Sequence, residues 1–553
     1  MYILGLNAFT HDASASLLHN GTITGYAQEE RFTRIKHDSS FPWASIEFCL
    51  REARISMQEI DAAAFAWDPY EKIIQRLIKT FYNLKGGLPR LKGQSAKWFS
   101  IIKVKSELQR RGFRGKLHFV KHHDAHAAAC FYASGFKKSA ILVIDGVGEH
   151  ATTSLYQASE NTISLLKQFY YPDSIGLFYA AITEYLGFKH NDGEGKVMGM
   201  AAYGNPVYAE KMHNLLFLKS PEHKINTHYF DFAHDWITKS FIEEFGAPRN
   251  PVEPISRRHY DIAASAQKVL EQQITRLCIY LRQSTQLENL CYTGGVSLNC
   301  QANSCIQQHN DFQNYYFFPV AYDAGTSLGA ALWVYRNMLH HSEQLQFNHV
   351  FWGPDLNKLE CAALAQQHGL KITESKNLLA EIAHALAVGK IIGWAAGKTE
   401  VGPRALGNRS ILADPRKPEN KDLVNNKIKK REPFRPFAPT ILADNTAEYF
   451  GQKIDSPYMM LTIPILASKK EEVPSVVHVD GTCRVQTLEK EFNPDFYALI
   501  EEFYKLTNVP ILLNTSFNKA GEPIVSSPED IIKSYSNSEL DILALAGLLI
   551  KKE

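Results

Sequence analysis

The sequence predicts two consecutive α/β domains, the first of them built from a duplicated strand unit. Three observations favour this arrangement. Shifted by 138 residues, the chain places Ile3–Asn7 (ILGLN) on Ile141–Asp145 (ILVID) without a gap. Short apolar runs typical of buried strands alternate with helical stretches along most of the chain. Near residue 345 a different, arginine-rich set of motifs begins.

The repeat defines the first domain. Each copy contains a short apolar strand, a polar loop, a second strand and a turn, and the same offset matches Ser16 with Ser154. Two such units, each leading into helices, predict two lobes with a cleft between them. We therefore expect the polar loops 7–12 and 145–150 to face the same cleft.

The boundary between the domains is expected near residue 345. A helical pattern through Tyr335 gives way to Phe351–Asp355 (FWGPD), which is typical of a turn. The domains are therefore predicted to span 1–345 and 346–553. Residues 206–260 show no clear periodicity and are expected to form an insertion or peripheral helices.

Composition excludes several classes of protein. The 553 residues, 45% hydrophobic and 21% charged, are typical of an enzyme with more than one domain. Sixty basic and 58 acidic residues leave a net charge of +2, so no global field favours nucleic acid or an anionic membrane. No apolar run reaches the roughly 18 residues that a membrane span needs. The polar N-terminus and eight scattered cysteines without a Cys-x-x-Cys pair indicate a cytoplasmic protein.

Two histidines and a carboxylate indicate a metal site. His122 and His126 are four residues apart, so on a helix they share one face, and Asp145 ends an apolar strand. Asp323, just before a predicted helix, is either a helix N-cap or a fourth ligand. Imidazole and carboxylate ligands suit Fe, Mn or Zn. Incidental surface histidines are the alternative.

His11 is the candidate general base of the first domain. It lies in the first polar loop, opposite the expected metal, and a neutral imidazole near pH 7 is suited to taking a proton from an attacking hydroxyl. A histidine that only stabilises the loop is the alternative. The charged run Glu29–His37 is either a solvated face or the rim of the cleft.

Glycine-rich turns indicate a nucleotide site in the first domain. Gly294 and Gly295 lie between a predicted strand and a predicted helix, in the string that ends at Asn299. Without side chains, they let backbone amides approach a phosphate closely. A plain turn would have the same sequence. Lys196, in another glycine-rich segment, either reaches a phosphate or is solvated.

The second domain carries basic and polar side chains in four separated segments rich in proline and glycine. Planar guanidinium groups bind phosphate or carbamate oxygens in pairs, and a lysine adds a point charge. The separation favours one small pocket for several anions over a groove for a polyanion. The candidate residues of this pocket are Arg404, Lys429, Arg435, Arg484, Asn514 and Ser516.

Read together, these segments resemble the O-carbamoyltransferase family of antibiotic and nodulation-factor tailoring enzymes, the NodU/CmcH family. The resemblance extends over nearly the whole chain. It rests on the strings HDASA (11–15), EERFTRIKH (29–37), HHDAH (122–126), DGVGE (145–149), GEGKVMG (193–199), TGGVSLN (293–299), VGPRALGNRSI (401–411) and NTSFN (514–518). A departure from the family pattern is the acidic Asp124 inside the histidine motif, which is expected to affect the orientation of the ligands.

The resemblance implies a fold and a reaction. The first domain would have the actin-like ATPase (ASKHA) fold and be TsaD-like, and the second would be a YrdC-like α/β domain. Such proteins form carbamoyl-adenylate from carbamoyl phosphate and Mg-ATP, then pass the carbamoyl group to a hydroxyl at an Fe(II)-type metal. The acceptor would be a sugar or natural product, and a homodimer stays an open option.

The resemblance also implies residue roles. His11 would be the base, and the second-domain pocket would bind phosphate, carbamoyl or adenylate groups. The metal ligands would be His122, His126, Asp145 and Asp323.

Other functions fit parts of the sequence. A tRNA threonylcarbamoyl transferase would need a basic surface that is not evident, and hydrogenase-maturation carbamoyltransferases resemble chains with zinc motifs that this one lacks. A metallopeptidase would require the His-Glu-x-x-His base. A nucleotide-binding protein without turnover stays a further alternative.

Overall fold

The computed structural model describes residues 1–71, 88–219, 221–232, 234–343, 345–373 and 375–552. The chain divides into two compact units, and segments far apart in sequence share a unit. Unit 1 comprises Met1–Gly176, Leu281–Ser297 and Phe312–Phe347. Unit 2 comprises Leu177–Tyr280, Leu298–Asp311 and Asn348–Glu553.

The protein is a mixed α/β structure, as the sequence predicts. The described strands are β1 (Tyr2–Asn7), β2 (Ser14–His19), β3 (Thr22–Gln28), β4 (Ala62–Phe65), β5 (Lys116–Phe119), β6 (Lys138–Ile144), β7 (Ala151–Ser159), β8 (Thr162–Tyr170), β9 (Leu216–Lys219), β10 (Glu222–Ile225), β11 (Phe230–Asp231), β12 (Trp236–Ile237), β13 (Asn289–Thr293), β14 (Asn314–Phe317), β15 (Lys371–Thr373), β16 (Ile392–Ala395), β17 (Arg409–Ala413), β18 (Ala438–Leu442), β19 (Thr462–Pro464), β20 (Thr482–Arg484), β21 (Gln486–Leu488), β22 (Ile511–Ser516), β23 (Ile542–Leu545) and β24 (Leu548–Lys551).

The helices connect these strands. The described α-helices are α1 (Glu30–Thr33), α2 (Trp43–Ala53), α3 (Leu88–Arg110), α4 (His122–Ser134), α5 (Ile175–Tyr185), α6 (Glu194–Ala201), α7 (Ala209–His213), α8 (Lys239–Phe245), α9 (Arg257–Thr285), α10 (Cys300–His309), α11 (Thr326–Leu332), α12 (Lys358–Gln367), α13 (Leu378–Ala387), α14 (Glu419–Leu423), α15 (Thr446–Phe450), α16 (Pro494–Thr507) and α17 (Pro528–Ser536). Two π-helical turns, Trp333–Met338 and Val424–Lys429, directly continue α11 and α14.

Unit 1 contains two sheets with the same topology. One has the strand order β3-β2-β1-β4-β5, and the other has the order β8-β7-β6-β13-β14. In each, two antiparallel strands lie on one side of the first strand and two parallel strands on the other. The residue offset of 138 preserves the register, because Gly5 pairs with Ser16 and Val143 pairs with Ser154. The internal repeat of the sequence is therefore a repeat of strand pairing.

Helix α11 packs closely against both β1 and α4. A Cβ on Gly329 would lie 1.8 Å from the carbonyl oxygen of Ala125, and one on Gly5 would lie 2.0 Å from that of Ser327. No side chain larger than hydrogen fits at either glycine without displacing backbone. This close approach brings the start of α11, which follows Asp323, next to the first turn of α4.

Unit 2 is organised around an eight-stranded mixed sheet. Its strand order is β15-β24-β23-β16-β17-β22-β18-β21, and β19 and β20 form a separate two-stranded ribbon. The strands β16, β17, β18 and β23 are buried along their whole length, as expected for strands covered on both faces.

The segment 206–260 differs in part from the expectation of an insertion or peripheral helices. It contains the short helices α7 and α8 and also two antiparallel ribbons, β9 with β10 and β11 with β12. These strands have two to four residues, too short for an alternating pattern to be read from sequence. Residues 220 and 233 lie outside the described part. Among the helices of the described residues, none is long and apolar enough to cross a membrane.

Candidate functional site

Two imidazoles on the first turns of α4 meet edge to face. His122 begins the helix and His126 follows one turn later, so the two rings lie on the same face. Their Nε2 atoms are 3.1 Å apart, and both side chains are buried. The carbonyl oxygen of Ala66 lies 3.3 Å from Nδ1 of His122, which fixes the ring with Nε2 toward its neighbour.

Two carboxylates complete a buried group of four. Asp145 directly follows β6, and Asp323 lies just before α11. His122 Nε2 is 3.2 Å from Oδ2 of Asp145 and 3.3 Å from Oδ1 of Asp323. His126 Nε2 is 3.9 Å from each of these oxygens. The four donor atoms all lie within 4.8 Å of one another.

This spacing fits a divalent metal ion. Ligand bonds of about 2.1 Å separate neighbouring donor atoms by roughly 3.0–3.4 Å in tetrahedral or octahedral sites. Three of the distances around His122 match that range. Oδ1 of Asp323 is buried and makes no hydrogen bond, as a carboxylate oxygen facing a metal position would. The donor set fits iron, manganese or zinc.

The charges of the four residues are strongly coupled. Burial disfavours the charged form of His122, but Asp323 and Asp145 outweigh it and raise its pKa well above the usual range. Burial and the charge on His122 lower the pKa of His126 to about 4. A dication bound here would replace the proton on His122, because its Nε2 faces both carboxylates.

Glu149 lies next to the candidate metal ligands, although it was not among the residues predicted from sequence. Its carboxylate accepts hydrogen bonds from the backbone N–H of His122 at 3.0 Å and of Asp68 at 2.8 Å. It thereby caps the N-terminus of α4, where Lys121 provides no side-chain cap. The sequence could have indicated Glu149 by its position at the end of the string DGVGE, which follows β6 and begins with Asp145.

The double glycine predicted to bind nucleotide lies against Asp145. Gly294 has a φ of +91°, and a Cβ there would lie 2.2 Å from the carbonyl oxygen of Ile144. The N–H of Gly295 donates to Oδ1 of Asp145 at 3.3 Å. Both glycines allow the turn after β13 to approach the candidate metal ligand.

The predicted base faces the same cluster. Nε2 of His11 is 3.7 Å from Oδ2 of Asp323, and its Nδ1 is 2.7 Å from Oδ2 of Asp12. The side chain of His11 is 32% exposed, so a second reactant can reach it. The loops after β1 and β6 therefore contribute His11 and Asp145 to one place in unit 1.

Asp124 lies on the same helix but points to a different partner. Its Oδ1 accepts a hydrogen bond of 2.8 Å from the hydroxyl of Tyr156 on β7. Burial raises the pKa of Asp124 to about 6. The described hydrogen bonds of Asp124 include none to the imidazoles of His122 and His126.

Unit 2 contains a group of partly buried guanidinium side chains. Burial lowers the pKa of Arg431 well below its usual range, and the charges of Arg435 and Arg484 lower it further. Glu432 is a nearby carboxylate, and it is shared by Lys196 at 2.8 Å and Arg435 at 3.7 Å. Three partly buried guanidinium groups thus lie within electrostatic range of one another, an arrangement that suits a bound anion.

Arg404 belongs to the same neighbourhood. Burial raises the pKa of the Cys300 thiol, while the charges of Arg484 and Arg404 oppose that shift. Both guanidinium groups are therefore within electrostatic range of the first residue of α10. Arg431 was missing from the residues predicted from sequence, although it lies between the predicted Lys429 and Arg435.

The polar members of the predicted pocket also form hydrogen bonds within unit 2. The side-chain amide of Asn514 donates to the carbonyl oxygen of Ala405 at 3.3 Å and to Gln486 at 3.0 Å. Its Oδ1 is buried and makes no hydrogen bond. Lys429 donates to the carbonyl oxygen of Ser516 at 2.6 Å and to its hydroxyl at 3.1 Å. All six predicted residues lie in unit 2.

The other two residues predicted to bind nucleotide belong to unit 2. Lys196 lies on α6 and pairs with Glu432. Asn299 is the N-cap of α10, where its side chain accepts from the N–H of Ala302 at 3.0 Å. Its amide group donates to Oε1 of Gln267 at 2.9 Å.

Comparison with known proteins identifies the family. A model described as carbamoyltransferase N-terminus matches residues 2–332, and one described as carbamoyltransferase C-terminus matches residues 383–552. An uncharacterized protein of Synechocystis sp. is 38% identical over 598 residues, covering 100% of this chain and 97% of that protein. Nodulation protein NolNO of Sinorhizobium fredii is 36% identical over 557 residues, covering 99% of this chain and 80% of that protein.

Similarity to solved structures is weaker. The (R)-2-hydroxyglutaryl-CoA dehydratase component A of Acidaminococcus fermentans aligns with 61% of this chain and 98% of its own, at 14% identity and a TM-score of 0.32. A TM-score this low does not identify a fold. The two family models and the relatives aligned along nearly the whole chain do identify the family: this chain belongs to the carbamoyltransferases and is an enzyme that transfers carbamoyl groups.

Proposed function

We propose that this carbamoyltransferase works in two steps and uses ATP. Carbamoyl phosphate, ATP and one water would give carbamoyl-adenylate, phosphate and pyrophosphate. A hydroxyl of a small-molecule acceptor, a sugar or natural product, would then take the carbamoyl group and release AMP. A nucleic-acid acceptor is not expected, because the net charge of +2 offers no general attraction for a polyanion.

The chemistry of the carbamoyl group motivates the activation step. Its nitrogen donates electrons into the carbonyl, so the carbon is a poor electrophile and needs a good leaving group. Adenylation supplies AMP as that group. Phosphates from two substrates must then be held together, which requires positive charge in a water-poor site.

The arginine cluster of unit 2 is the observation that carries this proposal. Arg435 and Arg484 are partly buried and both affect the charge of Arg431, and Arg404 and Arg484 both affect that of Cys300. Guanidinium forks suit phosphate and carbamoyl oxygens, and the unpaired Oδ1 of Asn514 suits the carbamoyl NH₂ group. We assign carbamoyl phosphate and ATP to this cluster, with Lys429 and Ser516 beside it.

We assign the transfer step to unit 1. His122, His126, Asp145 and Asp323 would hold a divalent metal, with Fe(II) preferred and Mn or Zn also suited to the donor set. The ion would supply Lewis acidity toward the carbamoyl carbonyl or the leaving phosphate. His11 would take the proton of the acceptor hydroxyl as that oxygen bonds to the carbamoyl carbon.

We also propose finer assignments of fold and location. The two sheets with the same strand order support an actin-like ATPase, TsaD-like first domain. The eight-stranded mixed sheet is assigned to a YrdC-like second domain, with the boundary near residue 345, between the two matched family models. The eight free cysteines support a reducing, cytoplasmic location.

Isotope exchange tests this proposal directly. The chain reconstituted with Fe(II) or Mn(II) would be incubated with ATP, labelled pyrophosphate and carbamoyl phosphate. We expect label to enter ATP only when carbamoyl phosphate is present. AMP release into water, with water as a slow acceptor, would report the transfer step. Exchange that does not depend on carbamoyl phosphate, or no exchange, would refute adenylate formation.

A further inference from the structure

One carboxylate near the candidate metal cluster connects two histidines. Oδ2 of Asp12 is 2.7 Å from Nδ1 of His11, and Oδ1 is 2.8 Å from Nδ1 of His37. Asp12 is 3% exposed, whereas the two imidazoles are each about one third exposed. Neither Asp12 nor His37 has a role in the function proposed above.

The backbone holds both partners in an unfavourable conformation. Asp12 has a φ of +56° and His37 has a φ of +57°, in the left-handed region that residues other than glycine rarely adopt. The side-chain amide of Asn7 donates to the carbonyl oxygens of His11 and Asp12, at 3.2 Å and 3.1 Å. Backbone strain that the surrounding structure maintains is concentrated at functional sites.

The contacts of Asp12 determine which nitrogen of His11 carries hydrogen. Burial opposes ionisation, but the hydrogen bonds from His11 and His37 hold the pKa of Asp12 below its usual range. An ionised carboxylate only accepts hydrogen bonds, so each Nδ1 carries a hydrogen. In neutral His11, Nε2 is then the atom with the free lone pair.

The orientation of His11 directs that lone pair toward the metal cluster. Nε2 of His11 is 3.7 Å from Oδ2 of Asp323, and this oxygen already accepts a hydrogen bond of 3.1 Å from the hydroxyl of Thr10. A substrate hydroxyl bound beside the cluster meets an acceptor at Nε2 when His11 is neutral. Burial lowers the pKa of His11, but Asp323 and Asp12 outweigh burial and raise this pKa to about 9.

A second metal site is the competing explanation, because Asp12, Glu30 and His37 each have a donor atom within 4.8 Å of the others. Both carboxylate oxygens of Glu30, however, already have partners. Its Oε1 lies 2.5 Å from Nη1 of the buried Arg31, and its Oε2 accepts from the N–H of His37 at 2.9 Å. This carboxylate is neutralised by a guanidinium, and both oxygens of Asp12 are occupied, which favours positioning over coordination.

We propose that Asp12 is a positioning residue that locks the ring of His11 with Nε2 toward the metal cluster, and that His37 holds Asp12 in place. The inference rests on the proposed function. In the step it serves, the acceptor O–H proton moves to Nε2 of His11. The acceptor oxygen bonds to the carbamoyl carbon, the bond from that carbon to the AMP oxygen breaks, and AMP leaves.

The test compares Asp12→Asn with the unchanged chain. We expect kcat for carbamoyl-phosphate-dependent AMP release into water to fall by roughly 10²-fold or more, as when an aspartate that orients a histidine is made neutral. The KM for ATP and the rate of pyrophosphate exchange should each change by less than about twofold, because neither Asp12 nor His11 belongs to the proposed adenylate site. His37→Gln should lower kcat by about tenfold, as loss of a supporting partner does.

Two comparisons separate positioning from a loss of structure. Adding Asp12→Asn to His11→Ala should leave the residual rate unchanged, since the effect passes through the ring of His11. Asp38→Asn is the matched control: this buried aspartate accepts from the hydroxyl of Thr33 and the N–H of Ser40, and it is not the carboxylate that the described hydrogen bonds of the two imidazoles reach. It should retain kcat even if the midpoint of thermal unfolding falls.

Each other outcome has a distinct meaning. Unchanged kcat in Asp12→Asn, or a further loss in the His11→Ala background, would overturn the positioning role. Loss of one of two bound metal equivalents in Asp12→Asn would replace it with a second metal site. Absence of pyrophosphate exchange in the unchanged chain would instead refute the proposed function, and the inference with it.

Discussion

Substitution of Gly329 tests how packing places the metal ligands. In Gly329→Ala the new Cβ would lie 1.8 Å from the carbonyl oxygen of Ala125, where contact requires roughly 3.2 Å. Helix α11 must therefore move away from α4 by about 1.4 Å, or one of the helices must distort. Such overpacking typically costs about 1–3 kcal/mol, and more where the crowded neighbour is a backbone atom.

The same movement separates the ligands. His122 Nε2 now lies 3.3 Å from Oδ1 of Asp323, and a shift of about 1.4 Å would take that distance beyond about 4 Å, outside the spacing that one ion can bridge. We expect Gly329→Ala to lower the midpoint of thermal unfolding and to lose bound Fe(II) or Mn(II). Pyrophosphate exchange, which we assign to unit 2, should survive in the fraction that folds.

Elemental analysis after desalting and a thermal unfolding curve would measure both effects. Gly195→Ala is the matched control, because Gly195 lies in α6 and a Cβ there meets nothing within 4 Å. It should raise stability by up to about 1 kcal/mol, since alanine is the better helix former. Wild-type metal content and thermal stability in Gly329→Ala would refute the reasoning.

Three further predictions concern single side chains. Arg404→Ala should slow carbamoyl-phosphate-dependent pyrophosphate exchange by about 10²–10³-fold, as loss of one preorganised donor does. Arg416→Ala, which removes a pair with Asp414 and a hydrogen bond to the carbonyl oxygen of Ala387, should leave exchange unchanged. Near-normal exchange in Arg404→Ala would contradict the anion cluster. His122→Ala should retain exchange but lose bound metal and AMP release, and undiminished AMP release would contradict the metal role. Asp124 has a pKa raised to about 6, above its unfolded value of about 3.9, so its contribution to stability falls as pH rises from about 4 to 6. Asp124→Asn should therefore gain on the order of 2–3 kcal/mol relative to the unchanged chain at pH 8 and little at pH 4, as thermal unfolding curves at the two pH values would show.

Much of unit 1 could be predicted because its signals are local or repeated. The offset of 138 between Ile3–Asn7 and Ile141–Asp145 appears in the structure as two sheets with the same strand order. The spacing of His122 and His126 places both rings on one helix face, since a helix repeats every 3.6 residues. The mixed α/β class followed from the same periodic patterns.

Other features depend on contacts between distant segments. The segments 177–280 and 298–311 belong to unit 2 although they lie within the sequence of the first predicted domain. Lys196 and Asn299 consequently belong to unit 2, whereas Gly294 and Gly295 belong to unit 1. Glu149 was not singled out because its role as a helix cap becomes visible only when β6 and α4 are adjacent.

The sequence by itself determined the side-chain chemistry: which imidazoles, carboxylates and guanidinium groups are available, and the short-range spacings that place some of them on one helix face or strand end. Tertiary structure alone decided their distances. Asp323 reaches His122 across 201 positions because two glycines let α11 touch α4 and β1. Asp12 contacts His37 because the chain folds back after α1. Metal affinity and proton transfer change steeply over a single ångström, and close packing between remote segments sets distances on that scale.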